Sequence, residues 1–140
     1  MTTNASATLG TQHYHTTCTI GPEGRHEFVC DEPEDLGGQD LGPTPVEAFC
    51  ASLAACKAIT ARMYADRKGW ITDGISCTVT HDLRVEEGSE KPTKVPHLDI
   101  TLKFMGDLDD EKRSRLKEIA ERCPVQRMIQ GDCVVATTLA

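Results

Sequence analysis

The densest run of small and apolar positions along the chain lies between Ala48 and Ala61, AFCASLAACKAITA, and only Lys57 interrupts it with a charge. Thr44-Pro45-Val46-Glu47 stands just before it: a capping hydroxyl, a proline at the first helical position, and a glutamate three residues after the cap. The pattern predicts a helix from there to about Lys68, with Gly69 as its stop. A helix that is apolar nearly all round is buried on most sides, so this one is expected at the centre of the fold.

Around it the polar and apolar positions alternate with other periods. Gln12 to Ile20 is rich in Thr, His and Tyr and suits a strand. Gly21-Pro22-Glu23-Gly24 reads as a turn, and His26 to Cys30 as the returning strand. The acidic, glycine-rich stretch Asp31 to Pro43 is a loop. Ile75 to Val85 and His97 to Phe104 alternate as strands, with Glu86 to Pro96 as a long hairpin loop between them. Asp107 or Asp109 can cap a second helix whose apolar stripe is Leu116, Ile119 and Ala120. Pro124 ends that pattern; a short helix from Val125 to about Gln130 and a final strand from Val134 to Leu139 follow. The order β-β-α-β-β-α-α-β is α+β. Residues 1–11 are expected to be a flexible segment and 12–140 a single domain.

Composition narrows the partners. The net charge is -7, and no Lys/Arg block stands out, so a nucleic-acid partner is not expected. No apolar run reaches membrane-spanning length, and the polar start MTTNASATLGTQ has neither the basic nor the apolar part of a secretory signal. The expectation is a cytoplasmic protein with no membrane contact. Thiols are kept reduced there, so seven cysteines do not read as a disulfide framework. Five of them read as small buried hydrophobes.

The other two have settings that bear on chemistry. Cys56 lies in the apolar helix, with Ser52, Leu53, Ile59, Thr60 and Met63 on its side. It is either a packed hydrophobe or a thiol in an apolar pocket wall. Cys123 directly precedes Pro124 and is placed as the cap of the short helix, facing free backbone N–H groups, with Arg122 and Arg127 nearby. All three influences favour a thiolate; the plainer alternative is a helix junction. Two such thiols suggest an attack-and-resolve pair, in which a thiolate attacks a peroxide oxygen, a second thiol condenses with the sulfenic acid, and a reductant dithiol restores both.

The residues also carry a family resemblance. The stretch HEFVCDEPEDLGGQDLGPTPVEAFCASLAACKAITARMYADRKGW resembles the first half of an OsmC-family protein, through its Asp-Glu-Pro and Gly-Gly loop, its Gly-Pro-Thr-Pro-x-Glu helix start and its small-residue run ending in Cys. DLDDEKRSRLKEIAERCPV resembles the family's second cysteine segment. The resemblance runs from about Cys18 to the C-terminus. It implies an OsmC-like fold in an intertwined homodimer with active sites at the subunit interface. It also implies reduction of hydroperoxides, often organic ones, as an antioxidant activity in the oxidative stress response. On this resemblance Cys56 attacks and Cys123 resolves. A Glu and an Arg flank the site in the organic hydroperoxide resistance branch. Glu47 matches the Glu, one residue closer to the cysteine, and Arg25 is the nearest candidate for the Arg. The chain looks closer to the broader OsmC-like group than to that branch.

Glu47 precedes Cys56 by nine residues. On one helix that separation places the side chains on roughly opposite faces, about 13 Å apart along the axis. If Glu47 serves the site, it reaches the Cys56 of another subunit or the helix is broken; the competing role, not exclusive of the first, is the capping box with Thr44. His13 and His15, with Cys18, raise a metal site, but no second cluster completes a tetrahedral set. No metal or cofactor is expected, since sulfur carries both electrons. The expected partners are a second copy of the chain, a hydroperoxide and a dithiol or redox-protein reductant. Two alternatives stand beside the peroxidase: a redox-responsive or small-ligand-binding module with little turnover, and a structural homodimer whose cysteines only pack.

Overall fold

The computed structural model describes residues 2–88, 90 and 93–140. Two compact units, residues 1–49 and 50–140, are taken in turn.

The first unit is built on three antiparallel strands in the order β1 (Ala5–Leu9), β2 (Thr16–Ile20) and β3 (His26–Cys30). β1 falls in the segment expected to be loose. It pairs along its length with β2, from Ala5 opposite Ile20 to Leu9 opposite Thr16, and the Ser6 and Thr19 hydroxyls meet at 2.7 Å. β2 begins at Thr16 rather than Gln12. The residues before it form a turn closed by the His15 N–H donating to the Gln12 carbonyl at 3.0 Å, with His13 at φ +45. Strand alternation therefore does not align His13 with His15.

Loop 31–43 is held from inside by a carboxylate. Asp31 is 1% exposed, and its oxygens accept the backbone N–H of Glu32 at 2.8 Å, Gln39 at 3.2 Å and Leu41 at 3.3 Å. The chain folds back so tightly that a Cβ at Gly38 would overlap the Glu32 carbonyl, and one at Gly42 the Val29 carbonyl. Those contacts explain Gly38 and Gly42.

Helix α1 (Pro45–Lys68) starts and stops where the pattern predicts, with Gly69 in the left-handed region at φ +68. Both halves of the capping box form: the Thr44 N–H donates to the Glu47 carboxylate at 2.8 Å, and the Glu47 N–H to the Thr44 hydroxyl at 3.2 Å. The expected burial on most sides is corrected. Only Leu53, Lys57, Ala61 and Ala65, one stripe spaced four residues apart, are buried. Ile59 and Met63 are 59% and 58% exposed. A chain of this size supplies cover for one face of the helix and leaves its other apolar positions open.

In the second unit, β4 (Gly74–Val85) and β5 (Lys94–Met105) form an antiparallel hairpin, with Gly74 opposite Met105 and Val85 opposite Lys94. β5 starts three residues before the expected His97 and includes Pro96. A two-stranded ladder leaves each strand's outer edge unpaired, which is where proline is tolerated. The loop expected over 86–96 shrinks accordingly; its residues 89, 91 and 92 lie outside the described residues. Arg113 ties the end of β5 to the next helix, donating to the carbonyls of Leu108 and Gly106, both at 2.9 Å, and of Phe104. Helix α2 (Asp110–Ala120) is capped by Asp109, which accepts the Lys112 N–H at 2.8 Å. Its predicted stripe Leu116, Ile119 and Ala120 is buried. The core joins Ala61, Ala65, Phe104, Leu108, Leu116 and Ala120.

Helix α3 (Pro124–Gln130) follows, capped by Cys123 as expected. The final strand over 134–139 does not form. Those residues have no regular secondary structure, and Val134 and Leu139 are 92% and 96% exposed. An alternating apolar pattern becomes a strand only where a neighbour supplies the other half of the ladder.

The loop anchor gives a pH prediction. Burial alone would raise the Asp31 carboxyl, but the three N–H donors, helped by His15, hold it below the usual carboxylate range. A depressed folded value means stability fully present above about pH 4 and lost as the pH falls through that folded value. Denaturant midpoints followed from about pH 6 to about pH 2 are expected to fall less steeply in Asp31→Asn than in the wild type.

Candidate functional site

Three segments of the second unit meet around one buried cation. Helix α1 carries Cys56 and Lys57 in succession, with Lys57 on the buried stripe at 1% exposure. The Lys57 ammonium donates to the Ala120 carbonyl, at the end of α2, at 3.3 Å. It also donates to the Gln126 side-chain oxygen, in the first turn of α3. Between those acceptors lies Cys123, fully buried. The Cys123 N–H donates to the Ala120 carbonyl at 3.3 Å, and its sulfur accepts the Gln126 N–H at 3.4 Å. Gln126 thus holds the thiol with its backbone and the lysine with its side chain, while its amide nitrogen donates to Gln130 at 3.0 Å.

The fold brings together the two cysteines that the sequence singles out. Cys56 and Cys123 are neighbours, close enough for Cys56 to push the Cys123 thiol up, although 67 positions separate them along the chain. Their exposures differ: Cys56 is half-buried and Cys123 fully buried. On the side of α1 that carries Cys56, one and two turns further on, Ile59 and Met63 line a cleft of about 270 Å³ with Ala58, Arg62 and Ile75.

The electrostatics of Cys123 differ from expectation. Capping position and nearby arginines predicted a favoured thiolate. Instead the thiol is pushed up from its ordinary value, first by burial and then by the neighbouring Cys56. The Gln126 N–H and the Lys57 charge pull it down without prevailing. Arg122 and Arg127 are exposed; the cation acting on Cys123 is Lys57. A third thiol, Cys77 on β4, feels the same centre. Burial raises it, Lys57 lowers it and Cys123 raises it.

The remaining candidates belong to the first unit. Glu47 is engaged in the capping box. Arg25 is exposed in the turn between β2 and β3. Among the described residues, no three His, Cys, Asp or Glu side chains gather where they could hold a metal ion. Sequence reasoning missed Lys57 and Cys77. The signal for Lys57 was present: one charge in an otherwise apolar helical run, beside the candidate cysteine.

Comparison with known proteins agrees over most of the chain. The family model described as OsmC-like protein matches residues 37–138. No curated protein sequence matches. Among solved structures, the fold is similar to an organic hydroperoxide resistance protein OsmC from Legionella pneumophila, at 26% identity and a TM-score of 0.67, covering 94% of this chain and 90% of that one. It is also similar to the organic hydroperoxide resistance protein OhrB of Bacillus subtilis, at 22% identity and a TM-score of 0.64, covering 94% and 93%. An OsmC-like protein from Mycoplasma pneumoniae reaches a TM-score of 0.73 at 17% identity, covering 94% and 89%.

Removing the buried charge tests the geometry. In Lys57→Met, Cys123 loses the cation that lowers it, so its thiol is expected to move further up. Alkylation of Cys123 by iodoacetamide, followed by mass spectrometry across alkaline pH in a Cys56→Ser background, should shift to higher pH. Lys57→Arg should keep most of the wild-type profile. Overlapping profiles for Met and wild type would show that Lys57 does not act on this sulfur.

Proposed function

The chain belongs to the OsmC-like family, and from that premise we propose that it is a thiol-dependent peroxidase that reduces organic hydroperoxides through Cys56 and Cys123. The contact between these two thiols carries the reading. Cys56, the half-buried member, attacks the outer peroxide oxygen. The O–O bond breaks, the alcohol leaves, and Cys56 becomes a sulfenic acid. Cys123 then attacks the Cys56 sulfur. An S–S bond forms, and the departing hydroxyl takes the Cys123 proton and leaves as water. A raised Cys123 thiol suits this order, since it retains its proton until that step. Lys57 lies against the pair and stabilises negative charge developing on sulfur. The apolar cleft beside Cys56 suits an alkyl tail. A dithiol or redox-protein reductant returns two electrons and two protons by exchange.

Two copies complete the site in this reading. The uncovered apolar positions of α1 and the unpaired segment 134–139 are surfaces that a homodimer would cover. A partner also supplies what one helix cannot: Glu47 and Arg25 reach the Cys56 of the other subunit. No helix among the described residues is long and apolar enough to cross a membrane, and all seven cysteines are free thiols.

The assay is consumption of cumene hydroperoxide with dithiothreitol as the reductant. Wild type should turn over, and Cys56→Ser should fall to the uncatalysed background. Cys123→Ser should consume a single equivalent and stop with a dimedone-reactive sulfenic acid on Cys56. Glu47→Gln and Arg25→Ala should slow the reaction while leaving sedimentation at twice the chain mass. Wild type as inert as Cys56→Ser would exclude a peroxidase and favour a binding module.

A further inference from the structure

A second pair of thiols lies in the first unit. The β2–β3 ladder places Thr16 opposite Cys30 and Cys18 opposite Phe28. Cys18 and Cys30 are therefore two positions apart on facing strands. Because side chains alternate with a period of two, they project from the same face of the sheet as a diagonal pair. Cys18 is close enough to push the Cys30 thiol up, adding to the effect of burial. Cys30 is 7% exposed and Cys18 is half-buried. Nothing in the Cys56 reaction uses either one.

We propose that Cys18 and Cys30 form a second redox site, a dithiol that hydroperoxides convert reversibly to an intrachain disulfide. The step balances without any other oxidant. Cys18, the more accessible sulfur, attacks the outer oxygen; the O–O bond breaks and an alcohol leaves. Cys30 then condenses with the Cys18 sulfenic acid. One S–S bond forms, and the two thiol protons end on the alcohol and on water. A reductant dithiol reverses the change by exchange.

Geometry sets the character of this disulfide. Diagonal neighbours on antiparallel strands have backbones about 7–8 Å apart, whereas a relaxed disulfide spans up to about 6.8 Å between Cα atoms. The strands must shear slightly to close it. Cys30 has little freedom to drift, because the next residue is Asp31, whose carboxylate is bonded to three backbone N–H groups. The strain stays in the link, which makes it easily reduced and suited to reporting oxidant rather than to fastening the hairpin.

The inference is independent of the peroxidase reading, and the test separates them. In a Cys56→Ser, Cys123→Ser variant of the full chain, excess tert-butyl hydroperoxide should lower the five remaining thiols to three. Peptide mapping should place the new disulfide between Cys18 and Cys30, and dithiothreitol should restore all five. Adding Cys18→Ala to that background should leave a count of four that peroxide does not change. A Cys30→Ala version should behave the same way, which guards against one variant folding poorly. A count that stays at five overturns the proposal. So does a loss confined to Cys50, Cys77 or Cys133 while Cys18 and Cys30 remain open to alkylation.

Discussion

A lysine ammonium buried in the otherwise uncharged run 48–61 of α1 is the constraint on which the second unit depends. An unpaired charge in that position is strongly unfavourable, because neither water nor a counter-charge offsets its desolvation. Lys57 is accommodated because Ala120 and Gln126 offer oxygens at the one place its side chain reaches. Those acceptors belong to the end of α2 and the start of α3. Satisfying the lysine therefore fixes the junction between the two helices against α1. The junction residue is Cys123, and the residue before Lys57 is Cys56. The requirement to solvate one cation thus also brings two sulfurs together.

The same arrangement decides between opposing effects on Cys123. A helix N-terminus and a nearby cation are the usual means of lowering a thiol, and both are present here. Burial is complete, however, and a second thiol lies alongside, so the balance goes upward. Reading the sequence could find the cap and the charges but not the burial, because burial depends on which helices pack over the site. In the proposed reaction the two cysteines divide the work along this line. The accessible sulfur meets peroxide, and the enclosed one waits with its proton.

Local chemistry was legible along the chain, and tertiary cover was not. The Thr44–Glu47 box, the Gly69 stop, the Asp109 cap and the Cys123 cap are written in neighbouring residues and form as predicted. The stripe Leu116, Ile119, Ala120 is buried because helical spacing is local information. The misses lie where the outcome turned on whether another segment supplied a neighbour. Ala5–Leu9 has too little apolar character to read as a strand, yet it forms one because β2 has a free edge. Val134–Leu139 has the pattern and no neighbour, and it stays unpaired. Pro96 argued against a strand, yet an outer edge accommodates it. The Cys56–Cys123 pairing came from family resemblance and chemical reasoning; Lys57 was in view as a lone charge, but its role required knowing what it faces.

The uncovered surfaces carry this distinction one step further. Helix α1 is apolar on more sides than its own chain encloses, and exposed Ile59 and Met63 lie on the side of the helix that carries half-buried Cys56. Contiguous apolar surface of this kind is characteristic of an interface rather than of a free face. In the proposed dimer, covering α1 would also remove water from the surroundings of Cys56. That would strengthen the influence of every fixed charge and dipole there, Lys57 included. Assembly and catalysis would then have one physical origin, the drying of a helix face that carries the thiol. A helix whose apolar run holds a single lysine would serve both, since the apolar positions would recruit the partner and the lysine would order the sulfurs beside it.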